Sequence, residues 1–295
     1  MAELLGAFGF GLVTAAILSV SAVGFTLQYS VSNVLNLAFV SIMTASGFVA
    51  YGLIVVGVTL WLAIALAALA GGLLSALINW GIYTPFIRRG TSTFGMVIVT
   101  ISTALIGQNL IQAAVGPGFF SYGVVTGRAV NLGGLVLTAD QVVTIGVAVA
   151  VMAATYLGLQ YTKLGRAMRA LSVNPSLARA CGVDTGRVVA VAWLASGVMA
   201  GAGGALLFLD TATFSVTTGS YFLIVIIAAA VFGGVGSAKG AFLGAVILGV
   251  ATEVAGAYWI PELKDVVAFA VLVLVLLVRP RGLFSEIATL RQAVG

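Results

Sequence analysis

Two apolar runs, Val142 to Leu159 and Val188 to Leu209, flank a segment, Lys163 to Arg187, that holds five of the chain's thirteen basic residues. Each run has the length of a helix that crosses a hydrocarbon core, which is about 30 Å thick and takes roughly 20 apolar residues. The flanks therefore predict membrane spans, and the basic segment predicts an aqueous face between them. Across 295 residues, 61% are apolar and 7% are charged, too little polar surface to cover a water-soluble globule. The length is spent on apolar segments separated by short polar breaks. The expected fold is thus all-α: residues 1–295 as one polytopic transmembrane domain, with broken or re-entrant segments.

Several function classes fall away. One cysteine, Cys181, has no partner for an intrachain disulfide, and the lack of histidine removes the commonest metal ligand and neutral-pH proton carrier. Zinc and redox chemistry are disfavoured, and no catalytic or metal-ligating cluster is expected. The start, MAELLGAFGFGL, has Glu3 and no Lys or Arg ahead of its apolar run, so it reads as an uncleaved first span rather than a secretory leader.

Taken in order, Leu4 to Leu27 is a first span rich in small residues suited to close helix packing. Gln28 to Asn36, QYSVSNVLN, then breaks the pattern before apolar residues resume through Val58. It reads either as a hairpin or discontinuous helix against a polar space, or as a plain short loop. Leu60 to Tyr83 is a third span, expected to stop at Thr84-Pro85 ahead of Arg88 and Arg89. Phe94 to Val115 is a fourth, with Thr100, Ser102, Thr103, Gln108, Asn109 and Gln112 at bilayer depth. Gln108 and Gln112 share a face, which either lines a pathway or bonds to neighbouring helices.

Gly116 to Asp140 is a Gly-rich connection, and the sixth span holds Gly197 and Gly201 at GxxxG spacing. Thr211 to Ser220 is a Thr/Ser-rich link before the short apolar run Tyr221 to Phe232 and a further run from Ala241 to Tyr258. Pro261 opens a final helix that ends at Arg279-Pro280-Arg281. Alternating these spans puts eleven basic residues on one side and two, Arg128 and Lys264, on the other. By the positive-inside pattern the C-terminus is cytoplasmic. Nine crossings put the N-terminus outside, and a re-entrant break would make the count eight. The net charge of +5 thus records topology and gives no reason to invoke nucleic acid.

GGVGSAKG, Gly233 to Gly240, lacks the glycine before the lysine and the Ser or Thr after it that a phosphate loop needs, so it reads as a tight turn between close helices. Glu253 lies about 18 Å along its span. A charge left at that depth costs about 3 kcal/mol, so Glu253 is either a pathway residue or a partner of Lys264 near the headgroups. Asp210 reads as interfacial. In the basic loop, Thr162 to Leu171 is helical, Asn174-Pro175 breaks it, and Ser176 to Cys181 forms a short helix stopped by Gly182. A headgroup anchor needs no such break and stop, so the loop reads as a docking element.

That loop, GRAMRALSVNPSLARACGVDTGRV, resembles the permease subunits of branched-chain amino acid ABC importers. So do NLAF (Asn36 to Phe39), YTPFIRR (Tyr83 to Arg89), VTISTALIGQN (Val99 to Asn109), GGVGSAKGAFLGAVILGVATEV and RPRGLF (Arg279 to Phe284), in the same order. The chain departs from the pattern at Phe39-Val40-Ser41, where the family often has a histidine or glycine, and related members carry urea or short amides. The resemblance implies a multi-pass subunit of a bacterial inner membrane, paired with a second permease, two ATP-binding subunits and a periplasmic solute-binding protein. ATP and magnesium would sit on the ATPases, with no cofactor on this chain.

The ATPase-coupling residues it implies are Gly165, Arg166, Arg169, Asn174, Pro175, Ala178 and Gly182. A translocation pathway would take Asn33, Asn36, Thr100, Gln108, Asn109 and Glu253. An ion-coupled secondary transporter is the alternative of a different class, but it needs intramembrane charges that this chain, Glu253 apart, does not supply.

Overall fold

The computed structural model describes residues 2–124, 129–132, 135–258 and 264–278, and Gly282. In lipid a backbone must satisfy its own polar groups, so the apolar segments fold as helices. In order these are α1 (Ala2–Ser32), α2 (Phe39–Val55), α3 (Leu60–Ile78), α4 (Thr84–Arg88), α5 (Thr93–Val115), α6 (Ala139–Tyr161), α7 (Lys163–Val173), α8 (Pro175–Ala180), α9 (Thr185–Asp210), α10 (Thr218–Gly233), α11 (Ala238–Tyr258) and α12 (Lys264–Val278). Among the described residues six helices, not eight or nine, have the length and hydropathy of a full span. Three more apolar helices are shorter: α2, α10 and the Val266–Val275 part of α12.

Three expectations are corrected. The Gly-rich connection carries an antiparallel hairpin, β1 (Ala129–Leu132) on β2 (Leu135–Thr138), with Ala129 opposite Thr138 and Leu132 opposite Leu135. The fold is therefore a helix bundle with a small β ribbon. Its strands are rich in Val and Leu. The third span does not stop at Thr84-Pro85, because a π turn, Asn79–Tyr83, joins α3 to α4. Pro85 falls in the first turn of α4, where its missing N–H is tolerated. The break after the first span is also shorter than its polar composition indicates. Ser30 and Ser32 donate back to the Leu27 and Gln28 carbonyls, 2.8 and 2.7 Å, so α1 absorbs them and ends only at Asn33, φ 53°. Pro261 and the Arg279-Pro280-Arg281 helix end lie outside the described residues.

The core is built on α1 and α9, each about 78% buried along its most apolar stretch. Small residues set the approach of their neighbours. A Cβ on Gly204 of α9 would run into the Met43 backbone of α2, and one on Gly249 of α11 would meet Ala15 of α1. Gly197 and Gly201, the GxxxG pair, lie against Ser75, Gly71 and Ala68 of α3. These contacts also fix direction. Ser21, Gly24 and Gln28 of α1 meet Gly203, Met199 and Ser196 in turn, so α1 runs antiparallel to α9. Met43 meets Gly204 and Gly47 meets Phe208, so α2 runs parallel to it.

Two triplets emerge from this pattern, α1–α2–α3 and α9–α10–α11. Each is a long helix, a break, a shorter helix and a third helix, and the third helix of each packs along the first of the other. Since α1 and α9 run in opposite directions, the triplets form an inverted pair, an arrangement that in membrane transporters places irregular backbone inside the bundle.

The buried side of α3 and the π turn after it falls on every fourth residue: Ala67, Gly71, Ser75, Asn79 and Tyr83. A four-residue repeat drifts about 40° per step on a helix of about 3.6 residues per turn. The π turn takes up that drift and keeps Tyr83 on the side of α9, its ring 5.1 Å from that of Trp193.

Candidate translocation surface and coupling loop

Arg88, Arg89, the α7–α8 loop and Lys239 all lie at one end of the bundle, because α3 and α6 run antiparallel to α9, whose first turn follows the loop. Lys239 sits over the Tyr156 ring of α6, 5.6 Å from its centre. At this basic end Thr162 accepts from the Gly165 amide, 2.9 Å, and starts α7. A Cβ on Gly165 would collide with the Leu159 carbonyl, so the α6–α7 corner requires glycine. Arg169 reaches back to donate to Gln160 Oε1, 2.7 Å, while Arg166 is exposed. Asn174 Oδ1 accepts from the Ser176 and Leu177 amides, 3.1 and 3.0 Å, and Pro175 occupies the first turn of α8.

Of α8 only Ala178 is buried, as one member of a cluster with Leu27 and Val31 of α1, Met168 and Leu171 of α7, and Val188 and Ala192 of α9. Leu177 and Arg179 are exposed. Gly182, φ 81°, adopts the left-handed conformation that turns the chain into α9, which Asp184 caps by accepting from the Arg187 amide, 3.0 Å. The seven residues expected to couple to an ATPase therefore lie together in the segment between α6 and α9, at the basic end of the bundle.

The expected pathway residues do not form one site. Asn33 is exposed at the basic end, in the turn after α1. Asn36 is buried: its Oδ1 accepts from the Tyr83 hydroxyl, 2.8 Å, and the Ala38 amide, 3.1 Å, and its Nδ2 faces Gln28 Oε1 at 3.4 Å. Gln28 Oε1 also accepts from Ser196 of α9, 3.1 Å. Asn36 is thus committed to joining α1, α3 and α9 at the break. Thr100 is buried and donates to the Val97 carbonyl of its own helix. Glu253 is held by Lys264, 2.7 Å, and Thr14, 3.2 Å. That is the pairing with Lys264 weighed from the sequence.

Gln108 and Asn109 stand apart from these. Only about 11% of the most apolar stretch of α5 is buried, on the side of Met96, Thr100 and Thr103. Ser102, Asn109 and Gln112 are exposed on the opposite side, and half-buried Gln108 accepts from Ser220 of α10 at 3.5 Å. Exposed amides at bilayer depth are unfavourable against lipid. This face of α5 therefore calls for protein or water beside it.

At the end opposite the basic one, the backbone of Phe120 pairs with that of Phe214, 2.8 and 2.9 Å, and Phe214 stacks on Phe208 at 4.1 Å. Tyr122 donates to the Gly47 carbonyl, 3.0 Å, and burial raises its pKa, which keeps it a neutral donor. A cavity of about 210 Å3 beside it is lined by Asp140, Gln141 and Asp210, among others. None of these four residues was singled out for the pathway. Their signal in the sequence was weak, since they stand among loop and helix-end residues.

Residues 7–276 match the family described as the permease component of branched-chain amino acid transport systems. The chain belongs to this family. Among its relatives is the high-affinity branched-chain amino acid transport system permease protein LivH of Escherichia coli K12, 30% identical over 280 residues and 90% of each chain. BraD of Pseudomonas aeruginosa, a permease of the same description, is 27% identical over 294 residues and 94% of each. A probable LivH of Methanocaldococcus jannaschii is 28% identical over 280 residues, covering 89% of this chain and 86% of that one. In fold, this permease chain is similar to a chain of PsaBC from Streptococcus pneumoniae, with a TM-score of 0.53 at 16% identity, covering 92% of this chain and 91% of that one.

Proposed function

We propose that this permease chain, acting as a single transmembrane domain, forms one half of the translocation pathway of an ATP-driven importer for branched-chain amino acids. It pairs with a second permease subunit, takes its substrate from a periplasmic solute-binding protein and performs no catalysis of its own. ATP and magnesium bind to two ATPase subunits, and α8 inserts into a groove on one of them. The coupling reading rests on the shape of α8: a capped helix outside the spans, with Ala178 as its buried residue and Leu177 and Arg179 exposed to a partner.

Nine crossings follow if the extended residues after Asn33 complete the passage that α2 begins at mid-depth, with the basic end cytoplasmic and the N-terminus outside. The exposed amides of α5 then face the partner permease across a water-lined seam, where a zwitterion passes. Specificity resides mainly in the binding protein.

Reconstitution of the complete importer in vesicles tests this reading. ATP-dependent uptake of leucine, isoleucine or valine is expected, stopping on ATP depletion with ion gradients held. Uptake that continues without ATP would sink it.

A further inference from the structure

The helix after the second triplet's break adjoins the same seam, where Ser220 meets Gln108 of α5 at 3.5 Å. Residues 211–217 turn back into the bundle, Phe214 is fully buried, and α10 starts beside Thr44, one residue past the level where Met43 meets Gly204. Gly204 is six residues short of the end of α9, so the first turn of α10 lies about 9 Å inside the bundle. A helix start carries partial positive charge and amide donors that stabilise an anion. Here the Thr218 and Ser220 amides already turn back to the Ser215 and Thr217 carbonyls, so a ligand needs further donors from the surroundings.

One is present. Thr44 of α2 is 2% exposed, and its Oγ1 has no hydrogen-bond partner among the described residues. That oxygen points at Gly219, in the space that a Cβ there would fill. A buried hydroxyl without a partner costs about 1–3 kcal/mol, a cost that a ligand oxygen would remove. Beside it the Gln108 contact to Ser220, 3.5 Å, is long enough to be exchanged for a better partner. Leu105 of α5 and Ile224 of α10 are exposed on the flanks and supply apolar surface.

We infer that the start of α10, with Thr44 and Gln108, is a transient site for the carboxylate of the amino acid in transit, its branched side chain lying against Leu105 and Ile224. This rests on the permease reading above and adds a position and an orientation for the substrate. Thr44→Val keeps the shape of the side chain and removes the hydroxyl. In the reconstituted importer, leucine uptake by this variant is expected to fall at least tenfold, with melting temperature and ATP hydrolysis unchanged within error and twofold respectively, and Thr44→Ser is expected to restore it.

Uptake by Thr44→Val within twofold of wild type would overturn the site. If Thr44→Val lowers the melting temperature, Gln108→Ala on the half-buried side decides by the same uptake thresholds. Absence of ATP-driven uptake by the wild-type complex would instead count against the permease reading.

Discussion

The two breaks in the bundle, residues 33–38 before α2 and 211–217 before α10, occupy equivalent places in the inverted triplets and are closed in opposite ways. The first is sealed by polar bonds: Asn36 ties Tyr83, Gln28 and the Ala38 amide into one node with Ser196. The second is sealed by rings, Phe214 stacked on Phe208 and edge-on to Phe48 and Tyr122, while the Ser215, Thr217 and Thr218 hydroxyls bond among themselves and Ser220 of α10 reaches Gln108 of α5. A polar break whose groups are used up is structural. One that packs through apolar rings puts no such polar lock on the helix it leads into, and the Thr44 hydroxyl beside the start of α10 has no partner among the described residues. The difference separates Asn36, a pathway candidate in the sequence, from Thr44 and Ser220, neither of which was one.

Substitutions can break this contrast at several strengths. The largest effect is expected from Gly204→Val, which attacks the helix that both breaks hang on. Its new side chain meets the Met43 backbone, which cannot yield as a side chain can, and a loss above about 4 kcal/mol should prevent recovery of a folded complex. Asn36→Ala comes next, because it strands the buried Tyr83 hydroxyl and the Ala38 amide. A cost of about 3 kcal/mol, read as a lower melting temperature, is expected, whereas Thr217→Ala at the other break should stay within about 0.5 kcal/mol. Equal losses at the two would erase the distinction.

Tyr83→Phe leaves Asn36 Oδ1 its second donor, so a loss of about 1 kcal/mol is expected in the same melt. The coupling module provides a contrast of another kind. Asn174→Ala removes the cap of α8 at a local cost of about 1 kcal/mol, small beside the stability of the bundle. It should leave melting almost unchanged while ATP hydrolysis persists with uptake reduced several-fold. Unaltered uptake would reduce α8 to a surface feature. The smallest stability effect is expected from Asn109→Ala, within about 0.5 kcal/mol, because its amide only bonds back to the Leu105 carbonyl of its own exposed helix. A drop in leucine uptake would then report on the seam alone.

Much of this was legible in the sequence because single residues carried it. The Asn174-Pro175 pair and Gly182 marked both ends of α8, and Gly197 and Gly201 marked a close helix contact, whose partner, α3, the sequence did not name. What stayed hidden depended on who meets whom. A serine in an apolar run can bond to its own helix, as Ser30 and Ser32 do, or face a neighbour, and composition does not separate the two. Asn36 and Gln108 look alike in a list of polar residues at membrane depth. One is enclosed by three helices and the other sits on the sparsely covered face of α5. The hairpin went unread because short Val- and Leu-rich strands also suit a helix, and the Gly-rich composition suggested only a loop.

The widened turn in α3 has a consequence for change over time. A helix that must present small residues to a groove above and an aromatic ring to a polar node below has two tasks with different angular needs. The extra residue in the Asn79–Tyr83 turn separates them like a coupling between two shafts, so either half can be retuned without turning the other. Deleting one residue there would turn the π turn into ordinary α-helix, in which the seven residue steps from Ser75 to Tyr83 make about 700°, so Tyr83 would stay within about 20° of its present side and the contacts of Gly71 and Ser75 would be spared. Loss of one residue at this point would thus be tolerated by both the first break and the glycine groove, whereas the same loss higher in α3, with the π turn kept, would turn one against the other.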